Sequence, residues 1–503
     1  MTWLLSNQAQ VLFAVLALGW LLLDLLSKGR WFTPRAIFLF ALTAFSFGSW
    51  FNYFHFADTN FIHETDGFHY YIGSKYFREL QYNELYNCAL LADLESSPEP
   101  PLSERSLRDL RDDKIVTASE IEQEIHSCKD LFSALRWREF VKDVAWFKNQ
   151  MPAERWQKIF FDHGFNASPV WLLVGNPLTN ASPLDSNLWA VPFAADFILV
   201  AVLWFSIFFT FGAVPGCLAL IFWSLFPLSE YGWVGGSILR HDWLLFTALG
   251  LCFLKRERYV LSGLAFSYGG LLRLFPLVIP CLILLHWGVR GILAKGLSSS
   301  ERKGTLELLI AFLLGCSALF LYSGASYGGI TVWENFSKNS VKHLATRTGN
   351  RVGLDTITSN LWYCDRENQP ERCDLSNRES GSAPSKALIE GSLALAFVAL
   401  SLFLQFRHSL VSVGLFSVGV IPLLTSLSCY YYSFFLFYPL LYAHQKSLVV
   451  VLFMLLPLFQ ALSILPFPGN LTYQYASLLV VLYVCFSLLC YRPRAKEPEE
   501  RAQ

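Results

Sequence analysis

Charge is what this chain has least of. Only 16% of its residues are Asp, Glu, Lys or Arg, against about 25% in soluble domains. A soluble fold of 503 residues could not cover itself with so little polar surface. The formal net charge is zero, which by itself says nothing about a nucleic-acid or acidic partner. A phosphate-cradling Gly-rich loop is missing, as is any internal repeat, so neither a nucleotide-binding domain nor a solenoid is expected. The first apolar block has no basic n-region and no small-residue cleavage site, and it reads as a helix rather than a signal peptide.

What fills the space is apolar: 54% hydrophobic and 16% aromatic residues. They come in blocks near the roughly 20 residues that a helix needs to cross a hydrocarbon core of about 30 Å. Clear blocks lie at 10–27, 36–54, 190–211, 213–229, 305–323, 386–405, 410–427, 447–465 and 474–491. Weaker ones lie at 242–254, 259–272, 274–290 and 429–443. The expectation is an all-α polytopic membrane protein with about thirteen spanning helices.

Short cytoplasmic loops accumulate Lys and Arg. Lys28, Arg30, Arg35, the 255–258 turn, Arg290 to Lys303, Arg407, Lys446 and the Arg492–Lys496 tail all fall on one side if thirteen helices alternate. That reading puts the N-terminus outside and the tail inside. The chain then divides into a first helix pair (1–54), a large non-cytoplasmic loop (55–188), a central membrane region (189–323), a second large non-cytoplasmic loop (324–385), a last set of helices (386–491) and a cytoplasmic tail (492–503).

Connections that long are usually functional. Outside the cytoplasm they can carry disulfides, and pairing within each loop gives Cys88–Cys128 and Cys364–Cys373. The other cysteines lie in apolar helices as small core residues. Sequons begin at Asn166, Asn180, Asn335 and Asn470, all outside by this topology. Phe68, Tyr71, Ile72, Tyr76 and Leu80, and later Trp137, Phe140, Val141, Val144 and Phe147, recur at helical period and read as amphipathic helices along the interface. The stretch from Glu95 to Lys114 reads as irregular.

The densest polar group is His63-Glu64-Thr65-Asp66-Gly67-Phe68-His69. A carboxylate there, flanked by aromatics, would suit a general base with a raised pKa. The alternatives are a capped interfacial turn with Thr65 and Asp66 as caps, or a divalent metal held by these side chains, although their spacing matches no strong ligand signature. Arg273 stands near the end of an apolar block, where an arginine is usually paired or functional; it could bind a phosphate with its bidentate donors or form a structural pair with Asp242 or Asp196. Lys342, His343, Arg347 and Arg351 could cradle a phosphate or form a solvated face. Asp162 and Asn166 sit in a polar turn with Gly164 and Pro169 and could bind acceptor hydroxyls. Tyr430, Tyr431 and Tyr432 read as interfacial tyrosines.

The run Asp66-Gly-Phe-His-Tyr-Tyr-Ile-Gly-Ser-Lys-Tyr-Phe, continuing to Leu85-Tyr86, resembles the first outer loop of polyprenol-phosphate-sugar-dependent glycosyltransferases of the GT-C superfamily. It is most similar to the polyprenol-phosphate-mannose-dependent mannosyltransferases. A second match runs from Arg240-His241-Asp242-Trp243 through Ser262-Gly263-Leu264 to Leu272-Arg273-Leu274-Phe275-Pro276. It departs from the family where a Gly-Gln-x-Asn turn becomes Arg-His-Asp-Trp and where Lys before Pro becomes Arg273.

The resemblance implies a GT-C-like fold with Asp66 as the base that deprotonates the acceptor and Glu64 as an auxiliary acid. It places the donor phosphate on Arg273, Arg240 and His241, with Lys342, His343 and Arg347 nearby. It places the acceptor on Asp162, Asn166, Asp242, His69 and Tyr70. The co-substrate implied is a lipid-phosphate-linked sugar, with no resident cofactor assigned. The partners are membrane lipids and a glycan, lipid or protein acceptor. The location expected is a bacterial inner membrane with a periplasmic active face, or the endoplasmic reticulum membrane in a eukaryote. The rival class is a transporter or lipid flippase, which would place polar groups near the midplane of interrupted, repeated helices.

Overall fold

The computed structural model describes residues 2–26, 32–55, 61–96, 101–293, 299–345, 349–358, 384–404, 409–465, 467 and 471–491. Nearly every described residue outside turns is helical. Two short antiparallel pairs are the exceptions, Ser106–Asp109 with Lys114–Thr117 and Arg351–Val352 with Leu427–Ser428.

Six described helices are long and apolar enough to cross a membrane: Gln8–Leu26, Val191–Phe211, Phe275–Ile292, Glu301–Tyr327, Lys446–Ile464 and Leu471–Cys490. A seventh is reached if Ala213–Leu225 and Pro227–Val234, bent by 77°, form one broken span. The protein is therefore a multi-pass membrane protein. The expected count of about thirteen is not reached by length and composition. Asp242–Lys255 and Tyr259–Arg273 are helices of only 14 and 15 residues, short of a full crossing. The 410–427 block breaks at a 3-10 turn, Val418–Val420, and ends at Leu424 after Pro422. The 429–443 block is 3-10 throughout, Cys429–Phe437 and Pro439–Leu441, and largely buried. Its run of aromatics has poor helix propensity and Pro439 removes a donor.

The membrane helices pack closely where residues are small. Tyr259–Arg273 lies between Asp242–Lys255 and Ser299–Tyr327. A Cβ on Gly263 would stand 2.5 Å from the Leu308 carbonyl, so only glycine permits that approach.

The described part of the 55–188 segment is a packed helical body. The Glu64–Lys75 helix is buried from Gly67 through Lys75, and the Ala134–Gln150 helix lays Trp137, Phe140, Val144 and Phe147 against its surroundings. The reason is polar as well as apolar. Lys75, 2% exposed, bonds to Asp143 at 2.7 Å, and Tyr76 donates to the same carboxylate at 2.8 Å. Within the stretch expected to be irregular, Ser106–Asp109 and Lys114–Thr117 form a hairpin. Cys88 and Cys128 form a disulfide. Cys364 and Cys373, like Asn470, residues 346–348 and the rest of 359–383, lie outside the described residues.

Candidate functional site

His63 closes the N-terminus of the Glu64–Lys75 helix, its Nδ1 accepting from the Asp66 amide at 3.2 Å. The cap is His63, not Thr65 or Asp66. This sets Asp66 in the first turn, at the positive end of the helix dipole. The segment before it is clamped from the other side: the His63 amide donates to the Gly236 carbonyl at 3.1 Å, and the Tyr231 hydroxyl donates to the Phe61 carbonyl at 2.6 Å. Gly236 has φ of +71°, and a Cβ there would fall 1.8 Å from the Phe61 oxygen. Only glycine allows the two strands of chain to meet.

The turn that carries Arg240 is tied down as well. Asp196, 2% exposed on the Val191–Phe211 helix, accepts from the His241 amide at 2.8 Å and bonds to its Nδ1 at 2.7 Å. The adjoining Asp242 carboxylate accepts from the Trp243 amide at 2.6 Å. His241 thus positions Arg240 through Asp196.

Arg240 is 5% exposed. Its Nη1 lies 3.6 Å from Asp66 Oδ1 and donates to the Tyr70 hydroxyl at 3.0 Å. That hydroxyl donates in turn to Asn166 Oδ1 at 2.6 Å. The Arg240 guanidinium lies 4.5 Å from the centre of the Tyr430 ring and 5.6 Å from that of Tyr431. Arg273 comes to the same place, 5.5 Å from the Tyr70 ring and 5.8 Å from Tyr431. Tyr430 and Tyr431, two of the three tyrosines expected at the interface, line the two guanidiniums, an arrangement worth about 0.5–2 kcal/mol per contact.

Several guanidinium N–H groups at this spot are buried without a hydrogen-bond partner: Arg240 Nε, and Arg273 Nε and Nη2. Leaving such a group unsatisfied costs about 1–3 kcal/mol, more when charged. Two guanidiniums with unpartnered N–H groups about the Tyr70 ring, one of them beside the Asp66 carboxylate, form an anion site next to a base. Burial alone would push the Asp66 carboxyl up, but Arg240, with His63 and His69, holds it below the usual carboxylate range. The expected raised pKa is therefore corrected. The cause is the arginine, which sequence spacing did not place beside it.

Other expected site residues stand elsewhere. Glu64, 8% exposed, accepts from Arg155 Nη1 at 2.6 Å. His69 bonds Tyr86 through Nε2 at 2.6 Å and faces Asp162 at 3.8 Å; burial keeps its ring below the usual imidazole range. Lys342 donates to the Leu110 carbonyl. His343 packs edge-on to His163, and burial with that neighbour pushes it down to about 4. A neutral imidazole supplies no cation to a phosphate. Arg347 lies outside the described residues. The structure therefore groups Asp66, Tyr70, Asn166, Arg240 and Arg273, with His241 and Asp242 behind them and His69 near enough to act on Asp66, and engages Glu64, Lys342 and His343 with other partners. Among the described residues no group of three or more His, Cys, Asp or Glu side chains could hold a metal ion.

No family model matches the chain, and neither a curated protein nor a solved structure matches it.

Proposed function

We propose that the chain is a membrane glycosyltransferase that moves one sugar, a hexose or pentose, from a polyprenyl-phosphate donor to an acceptor on the face of the membrane carrying the large loops. The observation that carries this reading is the Asp66 carboxylate 3.6 Å from Arg240, with Arg240 and Arg273 sharing the Tyr70 and Tyr431 rings and keeping buried N–H groups without partners.

In the reaction the acceptor hydroxyl gives its proton to the Asp66 carboxylate, and its oxygen forms the new bond to the anomeric carbon. The bond from that carbon to the phosphate oxygen breaks, and the electron pair leaves with the lipid phosphate. Arg240 and Arg273 bind the charge that develops there, fixed in place beforehand. Tyr70 and Asn166 hold the acceptor hydroxyls. The lipid tail suits an apolar groove of about 600 Å³ lined by Phe47, Phe51, Phe54, Phe61, Phe197 and Trp204, which runs up to the Phe61 segment leading to Asp66. Such a lipid-borne leaving group requires no nucleotide-binding fold.

The test is turnover by purified protein in nanodiscs, offered a panel of polyprenyl-phosphate sugars and membrane extract. Wild type transfers at least one sugar, Asp66→Asn abolishes transfer, and Arg273→Ala raises the donor KM by about 10- to 100-fold, the loss of one or two charged hydrogen bonds. Turnover of none of the donors, or full activity in Asp66→Asn, overturns the reading. Lipid scrambling in liposomes without covalent transfer would favour the flippase.

A further inference from the structure

A second cavity opens in the first outer loop, away from the arginine pair. It is a cleft of about 560 Å³, inside the range of about 300–1,000 Å³ typical of small-molecule sites. One wall is the Ala153–Ile159 helix and the turn after it, which contribute Trp156, Gln157, Phe160 and Phe161. The facing wall brings Asp93 from the Leu85–Ser96 helix and Lys148 and Asn149 from the Ala134–Gln150 helix. Arg105 and Ser106 close one end.

The walls are fixed. The Cys88–Cys128 disulfide anchors the helix that carries Asp93. Arg108, from the hairpin, takes the Phe160 carbonyl with its amide at 2.8 Å and the Phe161 carbonyl with its Nε at 3.0 Å.

Charge narrows the ligand. Asp93, 1% exposed, is engaged by both cations of the cleft, by Lys148 at 2.7 Å and by Arg105. With Glu104 also on the lining, two carboxylates balance two cations, so the cleft offers neither an anion nor a cation site. What it offers is the partly exposed Phe161 ring, backed by the buried Trp156 and Phe160, next to uncharged amides and a hydroxyl, Asn149, Gln157 and Ser106. Sugar rings have that chemistry: apolar C–H faces that stack on aromatic rings and neutral hydroxyls that bond to amides.

We infer that this cleft binds a neutral saccharide chain. It shares a wall with the Asp66 helix. Trp156 packs edge-on to Phe68, ring centres 5.5 Å apart, and the neighbouring Arg155 holds Glu64. A saccharide here is placed to be the remote part of the acceptor, a role that rests on the transferase reading; the binding itself does not.

The test uses the full chain in nanodiscs on an array of neutral manno-, gluco- and galacto-oligosaccharides, with sulfated members of the same series as charge controls. Ala153→Trp fills the cleft from an exposed position at the start of its helix. Asn149→Ala with Gln157→Ala removes the amides and leaves the walls. Expected is retention of at least one neutral oligosaccharide, loss of that binding in Ala153→Trp, and about a tenfold weakening in the double variant, as two neutral hydrogen bonds would give. Arg273→Ala keeps the binding. Wild type retaining no neutral oligosaccharide, preference for the sulfated members, or unchanged binding in Ala153→Trp overturns the proposal. Saccharide binding without any sugar transfer would leave the cleft standing and sink only the transferase reading.

Discussion

Arg240 Nη1 stands 3.6 Å from Asp66 Oδ1 and 3.0 Å from the Tyr70 hydroxyl, so one guanidinium joins the acid and the phenol of the same helix from across the chain. The acid is held below its ordinary range by that cation, and its ionised form is what accepts a proton. Replacing the cation with a neutral side chain, Arg240→Gln, should move the acid limb of the pH–rate profile for transfer to higher pH. Stability follows the same linkage. A carboxyl with a lowered folded pKa contributes stability that is complete above its unfolded value of about 3.9 and disappears as pH falls through the folded value. Thermal scans of the two proteins should therefore differ at neutral pH and converge in acid. An acid limb that stays in place would separate Arg240 from the ionisation of Asp66.

Sequence alone reached the multi-pass character and the Cys88–Cys128 disulfide, because each has a local signature: long apolar blocks, and paired cysteines in one segment. It did not reach the packing. Periodicity in the Glu64–Lys75 helix marked one apolar face, whereas the helix is buried on its polar side too, through Lys75 and Asp143, which are 68 residues apart. Nor could spacing show that Tyr430 and Tyr431 would fold back on Arg240. An interfacial tyrosine and a tyrosine lining a cation site look alike until the chain is closed. The 410–427 and 429–443 blocks break for a local reason visible in the sequence, Pro422 and Pro439 and the crowded aromatics, whereas the weaker 274–290 block forms the long apolar helix Phe275–Ile292; hydropathy averages over such breaks.

Lys75 and Asp143 provide a sharp stability test. Their side chains are 1% and 7% exposed, and Tyr76 adds a hydrogen bond to the same carboxylate. Lys75→Met leaves a buried carboxylate without its cation and should destabilise the outer body by about 3–5 kcal/mol, while Lys75→Met with Asp143→Leu should recover most of that loss. Thermal unfolding of the single and double variants in one detergent decides it. Equal melting temperatures for the two would mean that the pair is not coupled.

The Cys88–Cys128 bridge closes a loop with a sequence separation of 40 residues. Chain entropy assigns such a loop about 4 kcal/mol of stabilisation. The Cys88→Ser, Cys128→Ser double variant should unfold at a clearly lower temperature, and reductant should lower the wild type toward it without affecting the variant. The saccharide cleft should weaken alongside, since one of its walls hangs on Cys88. A melting temperature that neither the mutations nor reductant change would show that the loop is held by its other contacts.

Leu274, directly after Arg273, has φ of 58° and ψ of −47°, a strained turn conformation for any residue with a Cβ. Its side chain is 42% exposed, so little packing justifies the strain. Leu239, directly before Arg240, also has positive φ, at 49°. Both arginines of the anion site are thus held next to a leucine in an unfavourable backbone region. Leu274→Gly removes strain of about 1–3 kcal/mol and loses half-exposed apolar contact together with about 1 kcal/mol of backbone entropy. The two nearly cancel, so its melting temperature should match or exceed that of wild type. Leu264→Gly, at a position 44% exposed within the Tyr259–Arg273 helix, relieves no strain and should lose about 1 kcal/mol or more. If the strain serves to aim Arg273, Leu274→Gly should also raise the donor KM several-fold with no fall in stability. A variant as unstable as Leu264→Gly with an unchanged donor KM would mean that the backbone at Leu274 neither stores strain nor directs the arginine.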